Sequence, residues 1–327
     1  MTLRAGLIGL GAMGRHHARV LREIDGVELV ALADPHGDPH RVAGDLEVLP
    51  DVDALIAVGL DTAVVAVPTI YHEETALALA AAGVHTMVEK PIAADVAAGT
   101  RVAEAFAEAG LVGCVGHIER FNPAIQEIRR RIATGELGDI YQIATRRQGP
   151  FPARIADVGV VKDLATHDID LTAWVADSAY ATVSAQTAYR SGRKHEDMLL
   201  ATGRLANGVI VNHTVNWLSP MKERVTIVSG ERGTLVADTS TADVTFYANG
   251  TIPTEWDSVA NFRGVSEGDV TRYAIAKREP LRSEHEAFRD AVLGVDDRTV
   301  TMAEGLATLT VAEAMLLSAA QQETVTL

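Results

Sequence analysis

An aspartate and a histidine four residues apart, Asp163 and His167, lie in a stretch whose apolar spacing predicts a helix over about 160–175. At that spacing both side chains share one helix face, which Asp170 and Trp174 continue. A carboxylate beside an imidazole raises its basicity and orients its ring, as a general base for an alcohol proton requires. The same spacing also makes an ordinary surface pair, and metal ligation would need a third ligand that the sequence supplies at no recognisable spacing. No metal is therefore expected. A second cluster, Glu89-Lys90-Pro91, follows a candidate parallel strand at its C-terminal end, the edge where open α/β sheets bind their ligands. Lys90 there would either face a bound cofactor or stay a solvated lysine that caps the sheet.

A third cluster, Gly9-Leu10-Gly11-Ala12-Met13-Gly14, directly follows the first candidate strand and opens the first helix, and Asp34 ends the second strand. In that context the first glycine makes the tight turn, the second lets backbone approach a pyrophosphate and the third lets helix meet strand. The helix N-terminus adds free N–H groups and a partial positive charge. Asp34 would accept hydrogen bonds from both ribose hydroxyls of an adenosine. NAD is favoured over NADP, because a carboxylate repels a 2′-phosphate and Pro35-His36-Gly37 offers no arginine to hold one. The binding set read from this pattern is Gly9, Gly11, Ala12, Met13, Gly14 and Asp34.

These residues need a frame. With 327 residues, 47% of them hydrophobic and 22% charged, the chain has material for two domains and a large core. Short apolar runs at Leu3–Ile8, Glu28–Ala33, Ala63–Val67, His85–Val88 and Val112–Val115 alternate with helical stretches, the pattern of successive βαβ units. Between the first two, Met13, His17, Val20, Leu21 and Ile24 form one inward helix face. Helices are also expected over Thr75–Ala82 and Val96–Ala109. Asn122-Pro123 reads as an N-cap and first turn of a helix to about Ala133, after which two-residue alternation dominates, as in Val209–Trp217 and around 140–147, 179–189, 223–229 and 243–247. Two further helices are expected at Leu281–Leu293 and Met302–Ala320, and Asn249–Asp269 reads as a packed excursion or contact arm. The expected fold is α/β: a doubly wound parallel sheet over 1–119, followed by an α+β domain over 120–327.

A net charge of −15 argues against a nucleic-acid partner. The single cysteine, Cys114, points to a reducing compartment, with the cytoplasm as the expected location. The longest uncharged run, Leu205–Met221, is broken by Asn, His, Ser and Pro, so no membrane association is expected. An apolar face on the second domain's sheet would need covering, and a homodimer or homotetramer is expected.

Taken in order, the Gly9/Gly11/Gly14 fingerprint, Glu89-Lys90-Pro91 and Asp163-x-x-x-His167 resemble the glucose-fructose oxidoreductase/inositol dehydrogenase (Gfo/Idh/MocA) family over essentially the whole chain. The resemblance implies a Rossmann NAD-binding domain followed by a large, mostly antiparallel open sheet that serves substrate binding and oligomerisation. It implies that Lys90, Asp163 and His167 are the catalytic group, and that Pro68, Thr69 and His72, with Glu89 and Lys90, lie beside the cofactor. The phrases Gly116–Pro123, Arg147–Pro152, Asn216–Pro220 and Arg263–Gly268 resemble members that oxidise the 3-hydroxyl of a UDP-N-acetylhexosamine. Arg120, Gln148, Arg154, Lys162 and Asp170 become the candidate substrate residues, Lys162 standing where many relatives carry an apolar residue. Arg146, Arg147 and Arg154, with no acidic residue between Asp139 and Asp157, could meet a diphosphate or form a solvated strand edge. The expected activity is NAD-dependent oxidation, or the reverse reduction, of a sugar's secondary hydroxyl. A free-polyol dehydrogenase relying on Gln148 and Asp170, and a non-catalytic NAD-binding sensor, are the alternatives.

Overall fold

A computed structural model describes residues 2–152, 158–250 and 266–327. The chain forms two compact units interleaved in sequence: Met1–Ile118, Pro152–Asp170 and Glu279–Glu313 make the first, and Glu119–Phe151, Leu171–Arg278 and Ala314–Leu327 the second. Consecutive segments 1–119 and 120–327 capture the first crossing and miss two later returns. Those returns follow from packing, since Phe288, Met302 and Leu309 join the two cores that flank the parallel sheet.

That sheet has six strands: β1 (Leu3–Ile8), β2 (Val27–Ala33), β3 (Val48–Leu49), β4 (Thr62–Val65), β5 (His85–Glu89) and β6 (Gly113–Gly116). Their order is β3-β2-β1-β4-β5-β6, with every recorded pairing parallel, so the direction of winding reverses between β1 and β4. Ligands of such sheets bind at that reversal, outside the C-terminal strand ends. On one face α1 (Gly14–Glu23) contributes Ala18 and Leu21 to a core with Leu7, Leu29 and Leu32. On the other, α2 (Val52–Ala57), α3 (His72–Ala81) and α4 (Val96–Glu108) bring Leu55, Leu79, Val102 and Phe106 against Ile8, Val65 and Val88. Covered on both faces, β4 is buried at every position, which is why Ala63–Val65 reads as an unbroken apolar run. Asp95 caps α4 by accepting the Ala98 N–H at 2.8 Å.

The second unit begins with α5 (Pro123–Ala133), whose cap Asn122 accepts the Ala124 N–H at 3.0 Å. Its nine-stranded sheet comprises β7 (Ile140–Pro150), β8 (Tyr180–Ala188), β9 (Met198–Leu205), β10 (Ile210–Asn216), β11 (Leu218–Gly230), β12 (Gly233–Asp238), β13 (Asp243–Gly250), β14 (Ser266–Tyr273) and β15 (Val325–Thr326). Their order is β14-β13-β12-β11-β7-β10-β9-β8-β15, antiparallel except for β7 beside β10. Ile143, Val211, Val228 and Leu235 are fully buried on one face, whereas Leu200, Ile210, Tyr247 and Val270 are exposed on the other. Alternation of this kind is what a sheet covered on one side requires. Within the covered face His213 bridges the Thr145 and Tyr180 hydroxyls at 2.7 and 2.9 Å, and burial pushes its pKa down to about 4.

The helix expected over 160–175 is two pieces, a π turn (Val161–Ala165) and α6 (Thr166–Ala176). The short β3 and α2, the sheet strands β9, β12 and β14, and the terminal β15 are additions to the expected elements. Of the expected excursion between 249 and 269, residues 251–265 lie outside the described residues, and its ends belong to β13 and β14. The chain closes with α7 (Pro280–Val292) and α8 (Met302–Gln321). Among the described residues α8 is the one helix long and apolar enough to cross a membrane, and half of it is buried in the protein.

Candidate active site

The glycine turn lies where β1 hands over to α1. Gly9 has φ +93°, and a Cβ there would stand 2.5 Å from the Ala66 carbonyl carbon, while a Cβ on Gly14 would overlap the Gly9 carbonyl oxygen. Gly11 differs: a Cβ on it would meet nothing, so its missing side chain leaves open space on the approach to the turn. Asp34, one strand over, accepts the Leu10 N–H at 2.8 Å on one oxygen and the His36 N–H at 2.9 Å on the other. Each oxygen keeps a lone pair, so the carboxylate can brace the turn and still receive ribose hydroxyls. The cradle, with α1's first-turn N–H groups beyond it, fits NAD. Ala12 and Met13 complete the turn, Met13 serving as the N-cap of α1.

Beyond β4, Pro68 precedes a single 3-10 turn (Thr69–Tyr71) that leads into α3 at His72. The His72 ring lies 2.8 Å from the Pro91 carbonyl through Nδ1 and 3.0 Å from the Val67 carbonyl through Nε2. It ties the end of β4 to the chain just after β5, where the Lys90-Pro91 peptide is cis.

Lys90 reaches from that turn to the π turn. Its Nζ donates to the Asp163 carboxylate (Oδ1) and to the Asp163 carbonyl, each at 2.7 Å. Asp163 is buried and the Lys90 side chain is 15% exposed, so the pair is largely shielded from water. An ammonium carries three N–H donors, and with two committed to Asp163 the third remains for another acceptor. His167 follows four residues on, half-buried, in the first turn of α6. The intervening π turn has i→i+5 bonds, so positions four apart do not stack there as they do in an α-helix. The Asp163 carboxylate takes the Lys90 ammonium through Oδ1 at 2.7 Å.

The candidate substrate residues fall in both units. In the first unit, Lys162 bonds the Ala94 carbonyl at 2.6 Å and Glu313 at 2.9 Å, and buried Asp170 stands 3.4 Å from the Thr308 hydroxyl. In the second, buried Arg120 lies 6.0 Å from the Trp174 ring, and Gln148 donates to Glu223 while accepting from Asn216 at 3.0 Å. Arg154 lies outside the described residues. Two arginines of the basic stretch already hold carboxylates, Arg146 with Glu223 at 3.0 Å and buried Arg147 with Glu119 at 2.8 Å. Among the described residues no group of acidic, His or Cys side chains could hold a metal ion.

Beneath the Lys90 turn runs a polar seam that local spacing does not reveal. His17, part of α1's inward face, bonds Glu89 at 2.8 Å and His285 of α7 at 2.8 Å. The only local sign is a histidine at an apolar helix position. Next to His285 in sequence, Glu284 is 3% exposed and neither of its carboxyl oxygens has a hydrogen-bond partner. Burial first, then the charges of Glu89 and Asp170, push its pKa well above the usual carboxylate range. A carboxyl raised on folding contributes stability that is complete below about pH 4.5 and is lost as pH rises through the folded pKa. His213 and His285, both lowered by burial, have the opposite slope, which ends near pH 6.5. Above that pH, Glu284 should cost the protein up to about 1.4 kcal/mol per pH unit. Thermal melts of wild type and Glu284→Gln from about pH 6.5 to 8.5 should diverge, the variant holding its Tm better. Parallel melting curves would show that Glu284 ionises normally.

Comparison with known proteins gives this geometry its context. Residues 3–117 match the model of an oxidoreductase family with an NAD-binding Rossmann fold, and residues 125–236 match the GFO/IDH/MocA C-terminal domain. A UDP-N-acetylglucosamine 3-dehydrogenase of Acidithiobacillus ferrooxidans is 30% identical over 302 residues, 89% of this chain and 88% of that protein. An inositol 2-dehydrogenase of Saccharopolyspora erythraea is also 30% identical, covering 99% of this chain and 95% of its own. A solved structure of the Acidithiobacillus dehydrogenase superposes with a TM-score of 0.83 at 26% identity, covering 97% of each chain. The chain belongs to the GFO/IDH/MocA oxidoreductases, a family of NAD-binding dehydrogenases acting on sugar-related substrates.

Proposed function

We propose that this protein oxidises, with NAD, a secondary hydroxyl of a nucleotide-linked sugar, the 3-hydroxyl of a UDP-N-acetylhexosamine. The observation that carries the chemistry is the Lys90 ammonium, held by two bonds to Asp163 with a third donor uncommitted at the C-terminal edge of β5. The cradle of Gly9, Gly11, Ala12, Met13, Gly14 and Asp34, with Pro68, Thr69 and His72 alongside, holds the cofactor. NAD, when bound, supplies the hydride acceptor. His167 takes the hydroxyl proton, and Lys90 donates its free N–H to the same oxygen and stabilises the charge that develops there. The reverse reduction uses the same groups, with His167 as the acid. The roles of Lys90 and His167 could also be exchanged, because both are proton-transfer groups.

The sugar is argued from the Acidithiobacillus relative, similar over nine-tenths of the chain. A specific observation favours a second reading, inositol or another free polyol: Arg146 and Arg147 already hold carboxylates, and an inositol dehydrogenase is equally similar over the whole chain. The two readings separate in one assay. NADH formation should be followed with UDP-N-acetylglucosamine, UDP-glucose, UDP-N-acetylglucosaminuronate and myo-inositol side by side, with an aminotransferase coupled in to draw the ketone away. The acetylated UDP-sugars should lead. Turnover of myo-inositol alone would transfer the function to the polyol reading. We further propose that a second copy of the chain covers the exposed apolar side chains of the nine-stranded sheet, giving a homodimer or homotetramer.

A further inference from the structure

The Lys90 ammonium is anchored at its tip by Asp163, but its backbone has a separate support. The Lys90 N–H donates to Glu89 Oε2 at 3.1 Å, while Glu89 Oε1 accepts from His17 Nε2 at 2.8 Å. The other nitrogen of His17 lies 2.8 Å from His285 Nε2. His17, Glu89 and His285 are 0%, 7% and 2% exposed, so the chain from α7 through α1 to the end of β5 runs within the protein. We propose that His285, His17 and Glu89 are positioning residues for Lys90, acting through this buried hydrogen-bond chain to hold the Lys90 turn so that its Nζ meets Asp163.

The protonation pattern is consistent along the chain. Burial pushes the Glu89 carboxyl up, but the hydrogen bond and charge of His17, with the charge of Lys90, outweigh it, so Glu89 is a carboxylate that can accept both bonds. Burial, reinforced by His17, holds His285 well below the ordinary histidine value, so His285 is neutral and one proton lies between its Nε2 and His17 Nδ1. His17 then donates through Nε2 to Glu89, and every polar atom on the path from α7 to the Lys90 amide has its partner. Glu89, expected from the resemblance to lie beside the cofactor, accepts the Lys90 N–H on one oxygen and His17 on the other. A buried acceptor pair so satisfied is rigid, and loss of one member leaves the next unsatisfied.

The importance of Lys90 rests on the proposed dehydrogenase chemistry, so the deciding readout is independent of activity. Lys90 should be labelled competitively with acetic anhydride, and its labelling read by mass spectrometry against the other lysines. Asp163→Asn, which removes the anchor's charge, sets the upper level. His17→Ala should raise Lys90 labelling roughly three- to tenfold, the change in population that one lost hydrogen bond produces. His17→Gln, which keeps a donor for Glu89, should return it toward wild type. A residue that merely fills space would lower Tm and leave Lys90 labelling unchanged, and that result would overturn the proposal. If His17→Ala does not fold, the near-isosteric Glu89→Gln decides: raised labelling supports positioning and wild-type labelling excludes it. Changed labelling without turnover of any sugar would sink the proposed function and leave the positioning chain standing; sugar turnover with unchanged labelling would do the reverse.

Discussion

Lys90→Ala and His167→Ala should each lower kcat by at least about a hundredfold, the loss typical when general acid–base help is removed, while NADH affinity stays nearly intact. The separation is expected because neither side chain belongs to the glycine turn or to Asp34, the proposed adenosine half of the cofactor site. Asp163→Asn should follow Lys90→Ala, since the carboxylate is the anchor of the ammonium at 2.7 Å. Because proton abstraction needs an unprotonated base, the oxidation rate should also rise with pH through the pKa of that base. Steady-state kinetics of the three variants, beside NADH titrations, check these outcomes. Near-normal turnover in Lys90→Ala would move the chemistry away from β5.

Gly14→Ala and Gly11→Ala should both raise the Kd for NADH by about a hundredfold or more, a cost of about 2.7 kcal/mol. They should differ in the protein without cofactor. A Cβ on Gly14 overlaps the Gly9 carbonyl, which is backbone and cannot swing aside, so Gly14→Ala should lower Tm, at a cost of about 1–3 kcal/mol. A Cβ on Gly11 meets nothing in the protein, so its effect should appear only when a ligand approaches. Thermal melts with and without NADH separate the two cases, and a Gly11→Ala variant that binds NADH normally would contradict the placement of the pyrophosphate at this turn.

The glycine turn was legible because its signal is local: strand, glycines and helix follow one another, and Asp34 arrives at the end of the next strand. Lys90 was legible for a similar reason, standing directly after β5. What escaped depends on distance or on hydrogen-bond pattern. The π turn has no residue signature that separates it from an α-helix, yet Asp163 stands within it. His17 meets Glu89 across 72 positions and His285 across 268, so its place on an apolar face showed that it is buried, not what it holds. Arg146 and Arg147 form a basic run in sequence because their carboxylate partners, Glu223 and Glu119, are 77 and 28 positions away. The two-residue β3 and the six-residue α2 were too short for any periodicity to develop, although Asp51 caps α2 through the Ala54 N–H.

The most direct test of the proposed chemistry follows the hydrogen itself. A UDP-N-acetylglucosamine deuterated at sugar carbon 3 should be incubated with the protein and NAD, and the NADH recovered and weighed by mass spectrometry. One deuterium in the NADH, with turnover slower than for the unlabelled sugar, is the expected result. NADH without deuterium, or no NADH from this sugar while myo-inositol is oxidised, would contradict the assignment of the 3-hydroxyl.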